Sequence, residues 1–310
     1  MLVSADDKDI NLEKRPYIAL GNFDGIHIGH RKLINKACSL AKDNDGLSMI
    51  YTFKEHPLKL IDESCAPPLL MDNERRIEVF EALGIDAVKF QEFDENIMKM
   101  DPEEFIKNLT YQYNPLGIIA GFNFRFGYKN SGDINLIREL QNKYKYKYKI
   151  YVINAVKIGD NIVSSSLIRN FIKDGNLNLA NKFLGSNFSI YGKVIHGKEI
   201  GRKLDFPTVN LDFSDYIIPG SGVYYTNVLY KSVLYKGITN VGYNPTISKG
   251  NPIRVETHIL DFSRDVYDDY IRIFFVKKTR DEIKFDSLQG LKNQLTIDKE
   301  AARKENFINI

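Results

Sequence analysis

The sequence predicts two domains in series, an α/β domain built on a parallel sheet and then a mainly-β antiparallel barrel closed by a C-terminal helix. Three observations carry this. Short apolar runs alternate with helical patterns through the first half, as strands joined by covering helices do. Past Gly185 the composition turns rich in Val, Ile, Tyr, Thr and Gly, with turn signals between the apolar runs. A length of 310 residues exceeds one ordinary domain and suits two. The boundary is expected near residue 186, giving domains at 1–186 and 187–310.

In chain order, strands are predicted at Tyr17–Gly21, Leu47–Phe53, Ala87–Phe90, Gly117–Ala120 and Lys149–Ile153. Helices fall near Lys32–Lys42, Asn73–Leu83, Pro102–Leu109 and Asp133–Asn142. The first of them has Leu33, Ile34, Ala37, Leu40 and Ala41 at the spacing of one helical face. Ser164–Leu184 reads as a further helical segment, with N-cap hydroxyls at Ser164–Ser166 and a stop at Gly185. Lys143–Lys149 alternates Lys and Tyr. That suits a half-buried strand edge, tyrosines inward and lysines in water, better than a surface for stacking nucleic-acid bases. In the second half, strands are predicted at Gly222–Tyr230, Tyr235–Val241, Arg254–Phe262 and Tyr270–Lys277. Turn chemistry separates them at Gly242–Pro245 and Lys249–Pro252, and a charged helix near Leu288–Asn306 closes the chain.

Composition narrows the function. With 43 basic and 40 acidic residues the net charge is +3, so no bulk attraction to nucleic acid or to a membrane is implied. Cys38 and Cys65 lack metal-ligand or redox spacing and read as small apolar fillers in a reducing cytosol. The stretch Met1–Pro16 is polar and charged, unlike a signal peptide or a membrane span. A cytoplasmic protein acting on small molecules is expected, as a monomer or weak homo-oligomer.

Residues 21–30, Gly-Asn-Phe-Asp-Gly-Ile-His-Ile-Gly-His, link the first strand to the first helix. A glycine-rich strand-to-helix turn offers backbone N–H groups and a positive helix end to a phosphate. His27 and His30 can donate to phosphate oxygens, and Gly29 leaves room for a nucleotide to approach. Three further stretches suit the same site. Thr52–Pro57 carries the His56 imidazole at a strand end. Gly121–Gly127 places Asn123 and Arg125 beyond another strand, framed by glycines. Ser164 and Ser165 offer hydroxyls at a helix start, with Arg169 one turn later. Together they supply cations and donors around an α-phosphate, and nucleotidyl transfer needs no protein nucleophile.

The second half holds its own constellation. Gly197, Lys198, Gly201 and Arg202 form a glycine-rich basic loop able to fold over nucleotide phosphates. Thr208 and Asn210 stand two apart, so on an extended segment both point one way. A hydroxyl and an amide oxygen are hard ligands suited to Mg²⁺ that also holds phosphates and water. Strand alternation sends Glu256 and His258 to one face, and Glu256 is the candidate base for an alcohol attacking a γ-phosphate.

Gly21–His30, Gly121–Gly127 and Ser164–Arg169 resemble the FMN adenylyltransferase module of bacterial bifunctional riboflavin kinase/FAD synthetases, a Rossmann-like nucleotidyltransferase fold. The second half resembles the riboflavin kinase domain at Pro207–Asn210, Gly222–Tyr224, Asn240–Gly242, Pro245–Thr246 and Glu256–His258. Matching motifs run from residue 17 to about 300. The resemblance implies that His27 and His30 contact ATP phosphates, with Gly21, Phe23, Asp24, Gly29, Asn123 and Arg125 in the ATP site. It further implies that Ser164, Ser165 and Arg169 grip the triphosphate and that His56 lies near the reacting groups on the flavin side. For the second half it implies a six-stranded barrel in which Thr208 and Asn210 bind Mg²⁺-nucleotide, Glu256 activates the riboflavin 5′-hydroxyl and Arg280 borders the flavin. Riboflavin, FMN, FAD and ATP are then substrates or products. Two departures stand out: Ser166 where threonine is expected, and Asp205 where the flap has glycine. The competing expectations are a nucleotidyltransferase for another acceptor with a passive barrel, and a flavin- or RNA-binding regulator without catalysis.

Overall fold

Strands buried on both faces show near-continuous apolar runs, and the first half contains several. The computed structural model describes residues 1–4, 12–196, 206–242 and 253–308. These form two units, Met1–Pro67 with Asp72–Ser164, and Pro68–Met71 with Ser165–Ile310.

In the first unit β1 (Leu2–Ser4), β2 (Pro16–Leu20), β3 (Leu47–Phe53), β4 (Ala87–Gln91), β5 (Gly117–Gly121) and β6 (Lys149–Ile153) make one sheet. The spatial order is β1-β4-β3-β2-β5-β6, and every pairing is parallel. The chain winds outward from β2 in one direction through β3 and β4, then crosses to β5 and β6 on the other side. The switch point therefore lies between β2 and β5, and ligands of such sheets bind beyond the strand carboxyl ends there. The helices are α1 (Ile28–Asp43), α2 (Leu58–Ile61), α3 (Asn73–Ala82), α4 (Glu95–Lys99), α5 (Pro102–Tyr113) and α6 (Ile134–Tyr144). Ile106, Leu109 and Tyr113 of α5 and Ile137 and Leu140 of α6 bury the sheet residues Ile18, Leu20, Ile118 and Ala120. A small hairpin, β7 (Lys157–Ile158) with β8 (Asn161–Ile162), ends the unit.

Two expectations change here. Leu2–Ser4 is a strand rather than part of a polar lead-in, held by parallel pairing to β4. Lys143–Lys149 is the end of α6, a short connection and the first residue of β6, because Lys145 adopts the left-handed conformation (φ 54°) that stops the helix. The inward and outward alternation nevertheless holds: the rings of Tyr144, Tyr146 and Tyr148 follow one another at 5.5 and 5.6 Å, and the lysines between them are exposed.

The second unit opens with α7 (Ser165–Lys173) and α8 (Leu177–Leu184), two helices where one segment was expected. The break comes at Gly175, whose φ of +73° glycine adopts without the strain a side chain meets, and Asn176 then caps α8 through Leu179 N. Asn181 on α8 donates to Phe275 O and Val276 O and accepts from Phe188 N, tying the pair to the barrel. The expected boundary near residue 186 falls after this pair. The barrel strands are β9 (Phe188–Ile195), β10 (Val209–Asp212), β11 (Gly222–Tyr230), β12 (Val233–Gly242), β13 (Arg254–Ile259) and β14 (Tyr270–Arg280). They close antiparallel in the order β10-β13-β12-β11-β14-β9. β13 stops at Ile259, short of Phe262, since Asp261 takes a left-handed turn (φ 55°). Helix α9 (Leu288–Lys304) lies on the barrel, where Ala302 meets Val223, Tyr225 and Ile238. Among the described residues no helix is long and apolar enough to cross a membrane.

Candidate active sites

The turn after β2 folds under visible strain. Phe23 (φ 48°), Gly25 (φ 78°) and Ile26 (φ 38°) all take positive φ. For a β-branched residue such as Ile26 that is an outlier, of a kind that costs about 1–3 kcal/mol and gathers at functional sites. Phe23 and Ile26 are fully buried and hold the turn down. Phe23 packs edge-on against Phe80 of α3 and lies 5.2 Å from the His30 ring. Phe23 was expected in the ATP site; its ring is buried, and it lies beneath the site against His30 and Gly21.

His27 is the N-cap of α1. Its Nδ1 accepts from His30 N at 3.1 Å, so Nδ1 is unprotonated and the ring proton of the neutral form sits on Nε2. The cap thus fixes the tautomer and leaves one N–H donor. The two rings stack at 3.6 Å, 12° from parallel. Gly29 makes this possible: a Cβ there would come within 3.0 Å of His27 Cε1 and 3.1 Å of Nδ1. Its smallness serves the histidine ring as well as any approaching ligand. Asp24 lies on the same turn and supports the charge of the Arg76 guanidinium.

Burial pushes the His27 imidazole down to about 4. His30 is held well below its ordinary value by burial, then by repulsion from a protonated His27 and from the Arg76 charge. Both are neutral at pH 7, and His30 Nδ1 is a buried nitrogen without a hydrogen-bond partner. A stability consequence follows for His27, whose pKa falls from 6.5 unfolded to about 4 folded. Between those values the unfolded chain binds a proton that the folded chain refuses, so stability rises with pH across that window. Acidification through it is expected to cost on the order of 3 kcal/mol from this group. His27→Asn, which keeps a capping side chain without an imidazole, should show a shallower loss in denaturant unfolding between pH 7 and pH 4.5. Identical slopes in the two proteins would contradict the burial assignment.

Beyond the carboxyl ends of β2, β3 and β5 lies a cavity of about 530 Å³ whose lining includes Gly21, Asn22, His56 and Arg125. Phe53, Phe93, Phe105, Phe124 and Phe126 also line it. Phe53 and Phe93 meet edge-on at 5.2 Å, and Phe124 stacks on Phe126 at 5.6 Å. His56 Nδ1 accepts from Leu58 N at 3.2 Å, and Arg125 pairs with Asp133 at 3.2 Å. Asn123 sits in the turn after β5, its Oδ1 beside Gly121, and does not line the cavity. The structure thus brings Gly21, His56 and Arg125 to one cavity. Ser164 ends the first unit, whereas Ser165 and Arg169 begin the second, where Arg169 Nε donates to Pro68 O at 2.7 Å. The aromatic cavity was not foreseen, because its rings come from separate strands, turns and helices.

In the barrel, pairing supplies what spacing could not. Asn210 lies opposite Glu256 in the β10–β13 ladder, and Glu256 lies opposite Asn240 in β12–β13. Directly opposed side chains share one face about 5 Å apart. The expected metal ligand and the expected base are therefore neighbours, and Asn240 joins their row. Glu256 lies 3.9 Å from Arg254. His258, expected on the same face as Glu256, has a structural place. It is buried against Phe206, and its Nδ1 bonds Pro207 O at 2.8 Å, which fixes the chain entering Thr208. Thr208 and Val209 border a second cavity of about 580 Å³, with Phe262, Arg264, Asp265 and Tyr267. The Arg280 guanidinium pairs with Asp298 of α9 at 2.7 Å, which Gln294 also bonds, so it ties the closing helix to β14. Gly197, Lys198, Gly201, Arg202 and Asp205 lie outside the described residues, as do Pro245 and Thr246. Among the described residues no group of three or more His, Cys, Asp and Glu is placed to hold a metal ion.

Comparison with known proteins bears on both halves. Residues 9–167 match the family described as FAD synthetase, and residues 184–306 match the family described as riboflavin kinase. A bifunctional riboflavin kinase/FMN adenylyltransferase of Buchnera aphidicola subsp. Schizaphis graminum is 34% identical over 93% of each chain. The protein of that description from Escherichia coli K12 is 32% identical over 94% of this chain and 95% of its own. A crystal structure from Streptococcus pneumoniae, described as a macrolide-efflux protein, superposes with a TM-score of 0.86 at 29% identity, covering 98% of this chain and 99% of its own.

Proposed function

The chain belongs to the bifunctional riboflavin kinase/FMN adenylyltransferase family, and from that premise we propose how its residues divide the two reactions. The barrel phosphorylates riboflavin to FMN with ATP, and the parallel-sheet unit joins FMN to the AMP moiety of a second ATP, giving FAD and pyrophosphate. The order of work runs against the order of the chain. We assign the enzyme to the cytoplasm, as a monomer or weak homo-oligomer acting on small molecules.

For adenylyl transfer, an FMN phosphate oxygen forms the new bond to the ATP α-phosphorus while the bond to pyrophosphate breaks. No protein atom bonds to phosphorus, so the residues act by position and charge. His27 offers its Nε2–H to a phosphate oxygen from a helix N-terminus, where backbone dipoles also favour negative charge. The aromatic cavity beside Gly21 and Asn22 has the size and aromatic lining to take the flavin ring, with His56 and Arg125 at its wall. Ser164, Ser165 and Arg169 are assigned to ATP phosphates on their motif, which keeps the functional extent of this module at 1–186.

For phosphorylation, Glu256 takes the proton of the riboflavin 5′-hydroxyl as that oxygen attacks the γ-phosphate. Thr208 and Asn210 fit a magnesium ion: their donors are neutral hard oxygens, and the Glu256 carboxylate lies opposite Asn210. When bound, the ion neutralises phosphate charge, while the chain's own task is to hold the hydroxyl in line and remove its proton. The flap residues Gly197, Lys198, Gly201 and Arg202 are assigned to ATP.

The observation that carries most weight is the cap-fixed His27–His30 pair on the turn at the switch point of the sheet, a turn whose first residues, Gly21 and Asn22, line the aromatic cavity. The direct test is incubation with riboflavin, ATP and Mg²⁺ followed by chromatographic separation of flavins. FMN should appear first and FAD after it, and chelation of the metal should arrest the sequence. FMN without FAD would remove the role of the first unit. Absence of FMN with intact conversion of added FMN would remove that of the barrel.

A further inference from the structure

Arg76, on α3, is one of the few buried cations among the described residues, 5% exposed. Its two terminal nitrogens donate to oxygens at the strand ends and on α3, while Nε is buried without a partner. One terminal nitrogen donates to Phe53 O at 3.0 Å and to Asn73 Oδ1 at 2.9 Å. The other donates to Asn22 O at 2.8 Å and to Thr52 Oγ1 at 2.5 Å. Thr52 Oγ1 donates in turn to Asn22 O at 3.0 Å, and Asn73 Nδ2 to Lys54 O at 3.0 Å. The plane lies 5.0 Å above the Phe90 ring. These carbonyls belong to the end of β3 and to the residue that enters the strained turn. Peptide groups that leave a sheet edge at a crevice need partners, and here a single side chain supplies them across two chain segments.

The same helix also supports the turn from below. Phe80, one turn after Arg76, packs on Phe23, and Phe23 abuts His30. The Asn22–Phe23 peptide is thus gripped by Arg76 on its carbonyl side and by Phe80 on its ring side. We propose that Arg76 is a positioning residue for adenylyl transfer: its fork clamps the carbonyls of Asn22 and Phe53 and so fixes the turn that carries His27 and His30. It touches no reacting atom. Its charge, which burial lowers in pKa to about 10 and Asp24 partly restores, also bears on His30 and favours the neutral imidazole.

This rests on the reading of residues 21–30 as the adenylyl-transfer site, and the test separates the two. Arg76→Lys keeps a charge but cannot bridge two carbonyls and a hydroxyl in one plane. Arg76→Gln keeps neither charge nor fork. In the full chain, kcat for converting FMN and ATP to FAD is expected to fall about 100-fold in both, as misplacing a catalytic group by an ångström does. The KM for ATP should stay within about threefold, since the phosphate-binding groups remain but are misaligned in the transition state. Riboflavin phosphorylation by the same preparations is the folding control and should be unchanged. A loss confined to KM, an equal loss of both activities, or full FAD formation by Arg76→Lys would each overturn the proposal. His27→Asn run alongside decides the premise. If it too forms FAD normally, the site reading falls; if it alone is inactive, only the role of Arg76 falls.

Discussion

A chain carrying His27→Ala and His30→Ala is expected to accumulate FMN and form no detectable FAD. Losing one preorganised donor aimed at developing charge costs about 10²–10³ in kcat, and the pair presents two imidazoles in a single stack. His27 is also the cap of α1, so part of any loss could come from a frayed helix, worth about 1 kcal/mol. His27→Asn isolates the chemistry, because asparagine is among the best capping residues but lacks the Nε2–H donor. It should unfold at neutral pH like the parent and still fail to make FAD. The riboflavin-to-FMN step is the internal control in every variant. FAD formation within tenfold of the parent in the double variant would remove the histidines from the mechanism. Loss of FMN as well would end the assignment of the two reactions to separate residue sets.

Much of the fold was legible because its signals are local. Leu47–Phe53 and Lys149–Ile153 form strands with the expected bounds, and the apolar spacing of Leu33, Ile34, Ala37, Leu40 and Ala41 became the buried face of α1. What was missed lacked a local signal. Leu2–Ser4 is mostly exposed, so nothing in its pattern announces the strand that pairing with β4 creates. The break between α7 and α8 depends on one left-handed glycine inside an otherwise helical apolar pattern. Alternating Lys and Tyr at 143–149 gave the correct inward face but not the element, since a short connection can alternate as a strand does.

The sites divide in the same way. Gly21–His30 was legible as a unit because strand, turn, cap and helix follow one another in sequence. Its supports were not. Arg76 stands in a charged stretch, Glu74-Arg75-Arg76, that reads as the wet side of a helix, and only the approach of β3 and the turn shows why it is buried. Phe23 and Arg280 show the other side of this. Both sit in motifs, but one is sealed in the core and the other is bound to Asp298. Motif membership reports that a residue matters to a site without reporting whether it faces the ligand or holds something that does.

The second large effect is expected in the barrel, from Glu256→Gln. The substitution keeps size and hydrogen-bonding shape but removes the group that can accept a proton, and general-base catalysis contributes about 10²–10⁴-fold. Formation of FMN should fall by that factor with little change in the KM for Mg²⁺-ATP, while conversion of added FMN to FAD continues. Asn210→Ala, directly opposite on β10, should behave differently. It removes an oxygen donor to the metal-nucleotide and should raise the KM for Mg²⁺-ATP as well as lower kcat. The cross-strand pairing makes the contrast informative, because the two side chains are neighbours on one face and a general loosening of the barrel would affect both variants alike. Matching kinetic signatures would mean that they share a structural role, and the base would have to be sought elsewhere. Full phosphorylation by Glu256→Gln would exclude proton removal by this carboxylate outright.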